Sequence, residues 1–107
     1  MDLNMEVYTE EQILYIKRIK NCKTYYEVLN VDKIFTQVEL RTSWRRISLG
    51  VHPDKNKAPG AEEAMVRVNT AFEVLKDPRK RHEYDKMLFE KSQPEEQKQE
   101  KRGKNSG

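Results

Sequence analysis

A helix, a proline stop and a polar loop follow one another in residues 36–61, which read TQVELRTSWRRISLGVHPDKNKAPGA. Thr36 and Glu39 have the spacing of a capping box, in which each side chain binds a backbone N–H that the first helical turn leaves unpaired. Residues on one face then recur at intervals of three or four, apolar except for one small serine: Leu40, Ser43, Ile47 and Val51. Pro53 ends this helix, because the residue before a proline is pushed out of the α region. The sequence therefore predicts a long amphipathic helix that leads into the loop.

A second long helix is predicted from about Ala61 to Lys76. Its apolar face consists of Ala64, Met65, Val68, Ala71, Phe72 and Leu75. Asp77 and Pro78 end it and begin another helix, because aspartate is a good N-cap and proline suits the first helical position. This last helix is expected to end at Tyr84 or to continue as far as Phe89.

Shorter helical patterns precede the long pair. Thr9 and Gln12 again have capping-box spacing, which predicts a helix from about residue 9 to 21. Residues 25–29 form a second short pattern, and Asn30 is placed to end it in the left-handed conformation. No strand-like alternation of useful length is present. The predicted fold is all-α: an antiparallel pair of long helices joined by a loop at 52–60, braced by short helices and carrying an extra N-terminal helix.

Composition divides the chain into an N-terminal extension at 1–23, a domain at 24–85 and a charged, largely disordered tail at 86–107. Only 36% of the 107 residues are hydrophobic, and Gln, Glu, Lys and Ser dominate the tail. The net charge of +3 comes mostly from the tail, since residues 24–85 hold eleven basic and ten acidic side chains. This balance argues against a nucleic-acid-binding surface.

Other simple classes are also disfavoured. No apolar run approaches the roughly 20 residues of a membrane helix, and the first residues do not resemble a signal peptide. Cys22 is the single cysteine, so an internal disulfide is excluded. It is interpreted as a spectator. No metal site is predicted, because the spacing of His52, Asp54 and His82 fits no common ligand pattern.

The loop begins with His52-Pro53-Asp54, followed by Lys55-Asn56. Pro53 fixes its own φ and biases His52 towards an extended conformation, so the two polar side chains flank a stiff turn. A rigidly displayed carboxylate beside an imidazole is suited to bind an arginine or a hydrogen-bond network on another protein. The residues alone thus indicate a docking loop.

These features together resemble the J-domains of DnaJ-type co-chaperones. The tripeptide His52-Pro53-Asp54 lies between two long helices, as it does in that family. The flanking segments also match, and the resemblance covers about residues 24–85: YYEVL at 25–29, WRRI at 44–47, AFEVL at 71–75 and KRHEYD at 80–85.

The resemblance implies a fold and a mechanism. In the family, the loop triad and the basic face of the preceding helix dock on the ATPase domain and linker of a seventy-kilodalton heat-shock chaperone, and docking promotes ATP hydrolysis and the capture of unfolded client proteins. The implied docking residues of this chain are the loop triad and four helical residues, namely His52, Pro53, Asp54, Arg41, Trp44, Arg45 and Arg46. The chain would then activate a partner enzyme without being an enzyme or needing a cofactor. Trp44 is expected to be exposed among the arginines.

Some positions depart from the family pattern. Gly50 and Thr42 stand where basic residues are frequent, which thins the positive patch, and Gly50 also weakens the last helical turn by roughly 1 kcal/mol relative to alanine. Asn30 replaces the usual glycine. The replacement is tolerated because asparagine readily adopts the left-handed conformation.

A narrower resemblance concerns location. The segments YTEEQ at 8–12, KNCK at 20–23 and APGA at 58–61 are similar to the subgroup of J-proteins anchored in the endoplasmic reticulum membrane, whose J-domain faces the cytosol. The resemblance would place the anchor beyond Gly107, so that membrane contact depends on a segment absent from this sequence.

Two alternative functions fit parts of the sequence. A helical nucleic-acid-binding domain would place residues 44–46 on a recognition helix, but the loop at 52–60 is long for a tight helix-turn-helix. A small hydrolase would use His52 and Asp54, but side chains flanking a proline in a stiff turn are poorly placed to act as a base and its orienter, and no nucleophile is evident. Docking on a chaperone is the preferred prediction.

Overall fold

The computed structural model describes residues 8–93, and their regular secondary structure is entirely helical. Five helices follow one another along the chain: α1 (Glu10–Asn21), α2 (Tyr25–Leu29), α3 (Gln37–Val51), α4 (Ala61–Lys76) and α5 (Pro78–Lys91). The prediction of an all-α fold with an additional N-terminal helix is confirmed. Residues up to Lys76 form one unit and residues from Asp77 a second, so the two are described separately.

The helix ends follow the capping chemistry expected from the sequence. Thr9 and Gln12 form a complete capping box on α1, and Thr36 and Glu39 form another on α3. Asn30 has φ 53° and ψ 49° and ends α2 in the left-handed region. Its N–H donates to the carbonyl of Glu27, which satisfies one of the carbonyls left free at the helix end.

The core of the first unit lies between α3 and α4, with α1 and α2 packed against both. The predicted apolar faces are buried as expected, although Met65 and Ser43 are only half-buried. Side chains from all four helices contribute to this core, among them Ile16, Ile19, Val28, Leu29, Leu40, Ile47, Val51, Val68, Ala71 and Leu75. This burial of apolar surface is the main force that holds the long pair together.

Two arginines fix the C-terminal end of α1. Arg67 of α4 donates to the carbonyls of Ile19 and Cys22, which lie at the end of α1. Arg18 of α1 donates to the carbonyls of Glu27 and Val28 in α2. Because these charged donors satisfy carbonyls that the helix ends leave free, α1 is bonded to both of its neighbours.

The second unit consists of α5 and its caps. The carboxylate of Asp77 accepts hydrogen bonds from the backbone N–H groups of Arg79 and Lys80, as predicted for an N-cap before Pro78. The helix continues to Lys91, past the boundary at residue 86 where the charged tail was expected. Residues 86–91 contain no glycine or proline and are good helix formers, which accounts for the extension. The remaining part of the predicted tail, 94–107, lies outside the described residues, as do residues 1–7.

Within residues 8–93, no helix combines the length and apolar character that crossing a bilayer requires.

Candidate docking site

The loop after α3 is built on a turn around Pro53. His52 has φ −62° and ψ 130°, the extended conformation expected for a residue before proline. Its carbonyl accepts hydrogen bonds from the N–H groups of Lys55 at 2.9 Å and Asn56 at 2.7 Å. These two bonds close the turn, so Pro53 and Asp54 are held at its tip.

Asn56 anchors the loop from inside. Only 1% of its surface is exposed, although the residues on either side are both lysines. Its Nδ2 donates to the carbonyls of Gly50 at 2.9 Å and Gln12 at 3.3 Å, and its Oδ1 accepts from the N–H of Ala58 at 3.0 Å. One amide therefore joins the end of α3, the start of α1 and the loop itself, and its own polar atoms are satisfied.

His52 and Asp54 face outwards from this anchored turn. Their side chains are 46% and 86% exposed. The N–H of Asp54 donates to Nδ1 of His52 at 3.1 Å, so Nδ1 acts as an acceptor within the turn. The Asp54 carboxylate lies 3.8 Å from the same Nδ1. The hydrogen bond has the better geometry, and it leaves Nε2 as the ring nitrogen available to a partner.

The Asp54 carboxylate accepts no hydrogen bond from within the described chain. A carboxylate without an internal partner on a rigid turn keeps its full capacity to accept two bonds from an arginine of another protein.

The three arginines of α3 are exposed as predicted, and across residues 8–93 none of them makes an ion pair. Arg41 and Arg45 lie one turn apart and line a depression of about 220 Å³ together with Gln37 and Val38. Arg46 borders a separate groove that α1 and α3 share. The positive charge therefore spreads across two sides of the helix.

Trp44 differs from the expectation of an exposed side chain. It is half-buried, and its indole ring stacks on Phe72 of α4 with centroids 4.4 Å apart and planes 13° apart. Its Nε1–H donates to Oδ1 of Asn69 at 3.0 Å. The aromatic ring thus joins α3 to α4, because an amphipathic indole gains both a stacking partner and a hydrogen-bond acceptor there.

Cys22 has a displaced pKa. Burial raises the pKa of its thiol, an effect that Glu27 reinforces and that Arg18 and Arg67 partly oppose. The Sγ–H group donates to the carbonyl of Arg18. The thiol stays protonated at neutral pH and is a poor nucleophile, in agreement with its interpretation as a spectator.

Asn56 and Gln12 are the residues of the site that the sequence did not identify. A polar side chain in a loop rich in lysine is ordinarily solvated, and nothing local marks Asn56 as buried. The partners of its amide lie 44 residues away at Gln12 and 6 away at Gly50, so only the tertiary fold reveals the contact.

The site is therefore an outward-facing His-Pro-Asp turn at the tip of a helical hairpin, flanked by exposed arginines. Comparison with known proteins agrees. The family model described as "DnaJ domain" matches residues 24–85. The chain belongs to this family of co-chaperone domains.

Individual relatives give the same answer. The chain is 48% identical over 86 residues to human "DnaJ homolog subfamily B member 12", covering 80% of this chain and 23% of the relative. It is 49% identical over 78 residues to bovine "DnaJ homolog subfamily C member 18", covering 73% and 22%. It is 46% identical over 78 residues to "DnaJ homolog subfamily B member 14" of Xenopus laevis, covering 73% and 21%. The chain thus spans less than a quarter of the length of these relatives.

The anchoring role of Asn56 predicts a large effect for a loop substitution. Asn56→Ala removes the side-chain partner of the Gly50 carbonyl and of the Ala58 N–H, as well as the link to Gln12, and we expect a loss of about 1–3 kcal/mol in the free energy of unfolding. Urea denaturation followed by circular dichroism measures it. Lys57→Ala, an exposed change one residue along, is the control and should move stability by less than about 0.5 kcal/mol. Equal midpoints for the two variants would contradict the anchoring role.

Proposed function

We propose that this chain docks on a seventy-kilodalton heat-shock chaperone and stimulates its ATP hydrolysis. The observation that carries the proposal is the Asp54 carboxylate, 86% exposed and unbonded within the described chain, on a turn closed by two backbone hydrogen bonds. Because the backbone that carries the carboxylate is already ordered, binding costs little backbone conformational entropy, which favours its use in recognition. Membership of the DnaJ-domain family supports the identity of the partner.

The three loop residues have different roles in the proposed docking. Asp54 accepts hydrogen bonds from a cationic group of the partner's ATPase domain or linker, and His52 donates its Nε2–H beside it. Pro53 holds the spacing of the two side chains through its fixed φ. Binding that is tighter in the hydrolysis-competent state of the chaperone shifts the partner towards that state, and this shift is the stimulation. The coupled result is the capture of unfolded client proteins by the chaperone.

The arginines of α3 guide the encounter. Arg41, Arg45 and Arg46 are exposed, and no acidic side chain of the described chain neutralises them, so they attract an acidic surface of the partner. The proposed docking face also includes the solvent-facing part of Trp44. Truncation of Trp44 is a poor probe of docking, however, because it also removes the stack on Phe72.

Location is a separate proposal. The segments at 8–12, 20–23 and 58–61 support placement of the protein at the endoplasmic reticulum membrane, with this domain on the cytosolic side. Protease treatment of intact microsomes that contain the full-length protein tests the orientation: an accessible domain supports it, and a protected one contradicts it.

Asp54→Asn should abolish the stimulation while the helical fold stays intact, because the change keeps the side-chain shape and removes the charge that the partner recognises. An exposed substitution of this kind moves stability by less than about 0.5 kcal/mol. Single-turnover ATP hydrolysis by the chaperone, measured across a titration of the chain, gives the result. Asp32→Asn is the matched control, since Asp32 is also an exposed loop aspartate, and it should stimulate like the wild type. Wild-type stimulation by Asp54→Asn would show that the turn is not the docking element.

Arg45→Ala should raise the concentration needed for half-maximal stimulation and leave the maximal rate unchanged. One exposed charge pair is worth up to about 1 kcal/mol, so the increase should be roughly two- to fivefold at low salt. It should shrink as salt shortens the Debye length from about 8 Å at physiological ionic strength to about 3 Å at 1 M. Lys20→Ala removes an exposed charge from α1 beside α4 and should have little effect. A salt-independent loss, or an equal loss in both variants, would contradict the steering role.

A further inference from the structure

Helix α1 contacts the docking loop at both ends and in the middle of the loop. This helix precedes residues 24–85, which match the DnaJ family model. At the α3 end of the loop, Gly50 lies against the ring of Tyr15. In the middle, Gln12 bonds to Lys55 and Asn56. At the α4 end, Ile16 lies against Gly60. One face of α1 therefore packs against the loop and against the helix end that leads into it.

The two glycines show how closely α1 is seated. A Cβ atom added at Gly50 would lie 2.6 Å from two ring carbons of Tyr15, well inside van der Waals contact. A Cβ added at Gly60 would lie 3.2 Å from Cγ2 of Ile16, and Gly60 also has φ +94°, which disfavours other residues. The absence of a side chain at Gly50 thus allows the Tyr15 ring of α1 to pack there. This packing explains why a glycine occupies the position although it weakens the end of α3.

Gln12 makes the polar part of this contact with both ends of its side chain occupied. Oε1 accepts from the N–H of Thr9 and completes the capping box of α1. Nε2 donates to the carbonyl of Lys55 at 3.2 Å. The backbone carbonyl of Gln12 accepts from Asn56 at 3.3 Å. Gln12, in the first turn of α1, is thereby bonded to the residue that follows Asp54 and to the buried anchor of the loop.

We infer that α1 is a functional part of the docking site and that Gln12 is a positioning residue for the His52-Pro53-Asp54 turn. This inference rests on the proposed function, since it assigns α1 a role in the same docking event. A loop ordered before binding binds more tightly than one that samples several conformations, because the apparent dissociation constant rises as the competent fraction falls. Loss of the Gln12 bond should therefore weaken docking without altering the hydrolysis step in the docked complex.

The Gln12→Glu variant of the 107-residue chain isolates this role. A glutamate retains the acceptor for Thr9, so the capping box of α1 is preserved, but it has no N–H for Lys55 and places a negative charge near that carbonyl. Lys17→Gln is the control, because it changes the net charge by the same amount at an exposed position of the same helix. Two measurements are needed: amide hydrogen exchange across the chain, and chaperone stimulation titrated to saturation.

We expect the amides of Lys55, Asn56 and Ala58 to exchange roughly three- to tenfold faster in Gln12→Glu, as for the loss of one hydrogen bond. Exchange at the buried core of α4 should not change, which separates a local effect from global destabilisation. The concentration for half-maximal stimulation should rise by a similar factor at an unchanged maximal rate. Lys17→Gln should match the wild type in each respect.

Loop exchange equal to that of Lys17→Gln would overturn the inference, as would a lowered maximal rate with unchanged half-saturation. Failure of the proposed function has a different signature. In that case the wild-type chain would not stimulate the chaperone, while faster loop exchange in Gln12→Glu would still support the ordering of the loop by α1.

Discussion

The side-chain amide of Asn56 is the interaction on which the geometry of the docking turn depends. It is buried beneath an otherwise solvated loop, and it satisfies a carbonyl at the end of α3, a carbonyl at the start of α1 and an N–H within the loop. Leaving these buried polar groups without partners costs about 1–3 kcal/mol, which holds the loop against rearrangement. A nine-residue connection between two helices, 52–60, therefore behaves as a defined structural element.

In the proposed complex, the anchored loop and the arginines of α3 make different contributions to docking. His52 and Asp54 are presented on a rigid turn, so their contribution is geometric and depends on short, directional hydrogen bonds. The arginines of α3 stand on long flexible side chains in water, so their contribution is a diffuse attraction that salt weakens. Rigid and diffuse elements together favour a complex that forms fast and in one orientation.

Local chemistry made most of the fold predictable from the sequence. The capping boxes at Thr9 and Thr36, the left-handed Asn30 and the stop at Pro53 each depend on residues within about four positions, and the structure has them as expected. The buried face of α3 likewise followed from its period. The exposed His52 and Asp54 were predictable because a proline between two polar residues fixes how they are displayed.

Long-range contacts were not predictable in the same way. Trp44 among three arginines has the local pattern of a surface residue, and only the packing of α4 brings Phe72 and Asn69 to its ring. The sequence alone makes Gly50 a weak point of the helix and a missing charge, whereas in the structure the ring of Tyr15 occupies the space beside it. The burial of Asn56 has the same origin, since Gln12 is 44 residues away in sequence. Side-chain partners that come from distant segments are set by the tertiary fold, which no local pattern encodes.

The proposed function requires that this chain act on a partner's ATPase and have no ATPase activity of its own. Single-turnover hydrolysis of ATP, measured for the chain alone, for a seventy-kilodalton heat-shock chaperone alone and for the two together, tests it most directly. The account predicts no turnover by the chain, slow turnover by the chaperone and a rate in the mixture that rises with the concentration of the chain and saturates. Hydrolysis by the purified chain, or a mixture no faster than the chaperone alone at saturating chain, would contradict it.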